Sequence, residues 1–160
     1  MRLVELSDDS RIWIYQCNRL LNEQEEVEIA HHLGNFIDDW SSHGKTMEAA
    51  GEILHHRFLI IAADENKALA SGCGIDKSVN FLKRMEEEFQ LNFFDRTQVA
   101  FLENGVMKDL PLNVFWAMRK AGNITDQTIV FDNTIRKIAD LKSKWIVPFA
   151  NSWHAEMWGR

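Results

Sequence analysis

Asn104-Gly105 stands between two apolar runs, residues 97–103 and 106–110, and constrains the fold more tightly than any other feature of this chain. A two-residue turn of type I′ needs positive φ at both positions, and Asn-Gly meets that need at least cost. The two runs are therefore expected to pair as an antiparallel hairpin, whatever the rest of the sheet does.

Around that hairpin the apolar spacing sets out the other elements. Residues 11–17 (RIWIYQC) place Trp13 and Tyr15 on one face and Ile12 and Ile14 on the other, which suits a strand covered on both sides. Residues 57–64 (RFLIIAAD) read as the central buried strand, and residues 128–131 as a short one. Asn22 is a fitting N-cap, with Glu23, Glu25 and Glu26 in the first turns behind it. Ile29, Leu33, Phe36, Ile37 and Trp40 follow at gaps of 4, 3, 1 and 3, which predicts one helical stripe reaching about residue 42. His43-Gly44 should end that helix, with Gly44 as a left-handed cap, and residues 46–51 read as a helical turn or loop.

A second helix is predicted over 75–91, carrying Ile75, Val79, Leu82, Met85 and Phe89 on one face. Pro111 can open a short helix through Leu112, Phe115 and Trp116 that Gly122 closes. Asp132 or Asn133 is expected to cap a helix bearing Ile135, Ile138 and Ala139. The tail, residues 145–158, is too aromatic to dangle and should pack across the sheet or at a partner. The predicted order is β-α-β-α-β-β-α-β-α. Helical connections allow parallel pairing of the first strands, so the expectation is one mixed sheet with helices packed against it. That is the α+β (mixed α/β) class, in a single domain spanning residues 1–160.

Composition narrows the function classes. A chain of 160 residues suits one domain that buries roughly 70% of its unfolded surface. With 46% apolar residues, two prolines and eight glycines it is neither disordered nor fibrous. Two cysteines exclude a dense disulfide framework. A net charge of -6 argues against a nucleic-acid binder that works by bulk attraction. The local run of Arg136, Lys137, Lys142 and Lys144 reads as a solvated helix face. Acidic residues interrupt the N-terminus before a signal sequence can form, and no run approaches the apolar length of a membrane span. The expectation is a cytoplasmic protein with Cys17 and Cys73 reduced, engaging neither membrane nor nucleic acid.

The possible sites are few. Gly44-Lys45-Thr46 has the ending of a P-loop, but the first glycine of that motif would fall at Asp39, and a helix precedes where a strand is needed. It reads as a helix end followed by polar residues. The stretch from Ser71 to Ser78 joins a buried strand to a helix N-terminus, where glycines let backbone donors converge and the dipole favours an anion or a thiolate. It supplies the catalytic candidates Cys73 and Asp76, with His43 as a base should the loops meet. The ligand-binding candidates are Ser71, Gly72, Gly74, Lys77, Ser78 and, at the strand end, Asp64. The plainer reading gives Gly72 and Gly74 to the turn, a cap to Ser71 or Asp76, and packing to Cys73.

No metal site is expected. Glu28–His31 and Glu52–His55 each read E-x-x-H, but the second pair runs straight into a strand, so a di-iron helical frame is missing. His154-Ala155-Glu156 echoes a zinc deaminase without the P-C-x-x-C that should follow. There is no nucleophile elbow, and Lys77 stands where a dinucleotide fingerprint needs its third glycine, so no cofactor is expected either.

RIWIYQCN (from Arg11), the His43-Gly44 step, FLIIAADE (from Phe58), SGCGIDKSV (from Ser71) and SWHAEMW (from Ser152) together resemble a family of short uncharacterised bacterial proteins. Members of that family often carry an automatic label of ABC transporter ATPase. The resemblance covers nearly the whole chain and implies no activity, cofactor or catalytic residue. The label requires complete Walker A, Walker B and LSGGQ-type motifs, of which Gly44-Lys45-Thr46 is the only trace. Two readings of function follow. One is a small binding or regulatory module, meeting a protein partner or a second copy through Trp145, Trp153 and Trp158. The other is a small enzyme or anion binder at residues 71–78.

Overall fold

The computed structural model describes residues 2–42, 48–65 and 72–159, with backbone alone at Ser42, Gly72 and Cys73. The class is α+β: five α-helices and two sheets among the described residues, with antiparallel pairing throughout both sheets. They belong to two compact units. The first comprises Met1–Phe94 with Arg136–Ile138, the second Asp95–Ile135 with Ala139–Arg160.

In the first unit, β1 (Arg11–Gln16) and β2 (Glu48–Leu54) flank β3 (Phe58–Asp64). Both outer strands run antiparallel to β3, so they run parallel to each other with β3 between them. Helix α1 (Glu23–Ser42) connects them, making a split β-α-β unit. This corrects the expected mixed sheet: the helix does join two strands of one direction, but an inserted third strand keeps them from pairing. The added strand is β2, in the stretch read as a turn or loop. Ala49, Ala50 and Gly51 carry little β-propensity; burial of the two alanines, with α1 packed on the face of Ala49 and Gly51, decides the matter.

Helix α1 opens as its sequence predicts. Glu25 N–H donates to Asn22 Oδ1 at 2.8 Å, and Asn22 N–H donates to Glu25 Oε1 at 3.1 Å, a reciprocal capping box. The Glu25 carboxylate also takes a forked pair of bonds from Arg19 at 2.8 and 2.7 Å, which hold its pKa down at about 2. Arg19 Nη2 donates at 3.0 Å to the Phe89 carbonyl at the end of α2 (Gly72–Phe89), a helix with no basic residue of its own in the last turn. Ile29, Leu33, Ile37 and Trp40 are buried as the stripe requires. The expected cap at Gly44 lies outside the described residues.

The β2–β3 turn carries His55 and His56 at φ 54° and 56°, a left-handed pair without glycine. Each such residue costs on the order of 1–2 kcal/mol. The turn is held from α1's side: Leu21 N–H donates to the His56 carbonyl at 2.8 Å, and His56 Nδ1 lies 2.6 Å from Glu26 Oε2. That hydrogen bond raises the His56 pKa.

The second unit holds the predicted hairpin. β4 (Gln98–Glu103) pairs with β5 (Val106–Pro111) across Asn104 and Gly105 at φ 53° and 78°. The sheet continues through β6 (Ile129–Phe131) to β7 (Ile146–Pro148). Helix α3 (Leu112–Lys120) begins after Pro111 and ends at Gly122, φ 85°. There Asn123 N–H reaches the Met118 carbonyl at 2.9 Å and Gly122 N–H the Arg119 carbonyl at 3.1 Å, a Schellman ending. Helix α4 (Ile138–Ser143) starts later than expected, and the tail forms β7, a 3-10 turn and α5 (Trp153–Trp158). Among the described residues no helix is long and apolar enough to cross a membrane.

Gly51 and Gly34 make a paired test. A Cβ at Gly51 would stand 2.9 Å from Leu33 Cγ, in the core, whereas one at Gly34 on the exposed face of α1 would meet nothing within 4 Å. Gly51→Ala should lower stability by about 1–3 kcal/mol through overpacking. Gly34→Ala should raise it by up to about 1 kcal/mol through helix propensity. Urea denaturation of both variants checks the difference in sign.

Candidate functional site

Helix α2 begins at Gly72, so Cys73 and Gly74 belong to its first turn and not to the loop before it. Ser71 and His43 lie outside the described residues, as does the Gly44-Lys45-Thr46 step. Asp76 and Lys77 face solvent. Ser78 is buried, and its hydroxyl donates to the Ile75 carbonyl one turn back at 2.6 Å, which commits its only proton. Asp64, at the end of β3, accepts a bond from the Ser7 hydroxyl at 3.4 Å. The described candidates are thus dispersed: two in solvent, one bonded within its helix, one turned to the N-terminal segment. No group of three or more His, Cys, Asp or Glu that could hold a metal ion occurs among the described residues.

In the second unit a serine, a histidine and an aspartate come together that no sequence motif announced. Asp132, Ser152 and His154 are all buried. Their bonds are those of a structural cluster. Asp132 Oδ1 takes the N–H and hydroxyl of Thr134, and its Oδ2 takes the Trp153 N–H at 3.0 Å, capping α5 from a distant loop. The Ser152 hydroxyl donates to the Phe149 carbonyl at 2.8 Å, so the His154 Nδ1, 3.2 Å from Ser152 Oγ, must be the donor in that contact. A histidine that donates to the serine is not placed to take the serine's proton, so in this arrangement the trio is bonded as a structural cluster. The histidine packs instead between Trp153, at 4.2 Å between ring centroids, and Phe115, at 5.7 Å.

The tail tryptophans divide in the same unit. Trp145 is buried against Phe131 and donates its Nε1–H to Asn133 Oδ1 at 2.9 Å. Trp153 is half-buried, and Trp158 leans on Trp116 at 5.4 Å while remaining 40% exposed.

A concave site lies in the first unit, between α1 and α2. His32 lies 3.7 Å from Glu88, and the Phe36 and Phe81 rings stack at 4.8 Å. The two pairs step in opposite directions along the chain, so the helices run antiparallel. His32, Asn35, Phe36 and Asp39 of α1 and Phe81, Arg84 and Met85 of α2 line a cleft of about 240 Å³. Phe36 and Met85 were legible as core-stripe residues. Nothing in the sequence separates Asn35 and Arg84 from ordinary surface positions, because only the packing of one helix on the other makes them neighbours.

No family model, no curated protein and no solved structure matches the chain.

His154 gives a pH test of the second unit. Burial pushes its pKa down to about 4, against a smaller opposing pull from the Asp132 charge. The unfolded chain, with an ordinary imidazole, binds more protons between about pH 6.5 and 4, so stability should be full above that range and fall as pH drops through it. The loss should reach ~3 kcal/mol, and His154→Gln should flatten it. Chemical denaturation across pH 4–7 measures both.

Proposed function

We propose that the chain is a small binding module of the cytoplasm that takes a small ligand in the cleft between α1 and α2. The observation that carries this reading is the mixed lining of that cleft: the rings of Phe36 and Phe81 and the Met85 thioether beside the polar groups of His32, Asn35, Asp39 and Arg84. A concave, largely apolar site with a few polar groups is the common form of a ligand site. Pockets for drug-sized ligands run to roughly 300–1,000 Å³, so a cleft of about 240 Å³ suits a smaller ligand, one built on a single ring. Binding is favoured over catalysis because the buried polar groups Ser78, Asp132, Ser152 and His154 are engaged in internal hydrogen bonds.

Titration of the ¹⁵N-labelled protein with millimolar benzyl alcohol, benzylamine and benzoate tests the site. Amide shifts should concentrate at residues 32–39 and 81–85. Shifts scattered over the chain, or none with any probe, would contradict it. A partner protein or second copy at the tail is the second reading, favoured by the exposure of Met157 and Trp158. Diffusion measured on the same samples bears on self-association, and a monomer at millimolar concentration would count against it.

A further inference from the structure

We propose that the ligand of this cleft carries an oxyanion, a carboxylate or a phosphate, and that the Arg84 guanidinium receives it. The inference rests on the cleft being a ligand site at all, and it concerns what the site selects. Arg84 Cζ stands 5.7 Å from the centroid of Phe81. Phe81 stacks on Phe36 at 4.8 Å and 13°, and Phe36 on Trp40 at 5.7 Å and 20°. Phe81 and Trp40 are buried, so the rings of the stack are fixed, and the exposed guanidinium lies over its Phe81 end at the cleft wall.

Its donors are uncommitted. Arg2, Arg11, Arg19 and Arg119 each have a carboxylate partner; Arg84, like Arg96 and Arg136, has no side-chain hydrogen bond or ion pair among the described residues, and of these three Arg84 is the one that lines the cleft. Partners were within reach on its own helix: Glu87 and Glu88 follow at the spacings that pair along a helix. Glu88 instead lies by His32 across the cleft, and Arg84 turns to the ring. A planar guanidinium with its fork of N–H groups open to a concave site matches the two oxygens of a carboxylate or phosphate. The opposing charges are Glu87 and Glu88 on α2 and Asp39 on α1. Arg84 falls between Phe81 and Glu88, opposite the stretch from Phe36 back to His32, and Asp39 lies about a turn beyond that stretch. Asn35, within it, has its amide nitrogen 3.4 Å from His31 Nε2, and a second amide N–H beyond that contact.

Isothermal titration of the full chain with four single-ring probes decides the point: benzoate, phenyl phosphate, benzyl alcohol and benzylamine. Benzoate or phenyl phosphate should bind at least about fivefold more tightly than benzyl alcohol, and the tighter of the two identifies the oxyanion. Arg84→Ala should weaken that anion by about five- to tenfold more than it weakens benzyl alcohol. Arg84→Lys, which keeps the charge but loses the fork, should restore only part of the loss. Lys83→Ala, an exposed charge on the neighbouring position, should change nothing. Equal binding of anion and alcohol, or equal losses in Arg84→Ala and Lys83→Ala, would overturn the oxyanion while the cleft remains a binding site. Failure of all four probes to bind would remove the binding reading itself.

Discussion

Strand β3 is hydrogen-bonded along both edges and buried from Phe58 to Ala63, and the first unit is arranged around that fact. An apolar run of this kind leaves no face for water, so both edges and both faces need cover. β1 and β2 take the edges. Because each is antiparallel to β3, the chain between them must cross over, and α1 is that crossover. Gly51 then lets the helix approach β2 to the point where Leu33 fills the space a side chain would occupy. With α1 so placed, the Phe36–Phe81 stack sets where α2 lies on it, and the cleft is what remains open between the two helices.

The two left-handed turns show how much of this could be read in advance. Asn104-Gly105 and His55-His56 have nearly the same positive φ values at their first residues, 53° and 54°. The first is legible because its residues prefer that backbone. The second is not, because histidine does not, and contacts from Leu21 and Glu26 hold it in place. β2 was lost for the same reason: Ala49, Ala50 and Gly51 become a strand only through what packs on them. The Asn22–Glu25 cap, the buried stripe of α1, the helix after Pro111 and its ending at Gly122 were legible, since each depends on residues within a turn or two of one another.

The candidate site divides along the same line. The turn at residues 71–78 was singled out by local chemistry, and its Ser78 hydroxyl is spent on its own helix. Arg84 and Asn35 have no local signature, and only the antiparallel packing of two helices brings them to one cleft. Asp132 likewise was expected to cap the helix that follows it and caps the Trp153 N–H of α5 instead, a partner that sequence distance hides.

The polar groups differ in what they are left to do. Asp132, Thr134, Ser152 and His154 close on one another and on backbone, as buried polar groups must if their burial is not to cost stability. Arg84 is exposed, held against a ring, and unspent on any carboxylate among the described residues. That contrast is the physical basis for placing a ligand in the first unit. A crystal structure of the protein with 4-bromobenzoate tests it most directly. An anomalous bromine peak is expected between α1 and α2, with the carboxylate turned to Arg84. A bromine peak away from that cleft, or a carboxylate facing solvent with Arg84 unmoved, would contradict it.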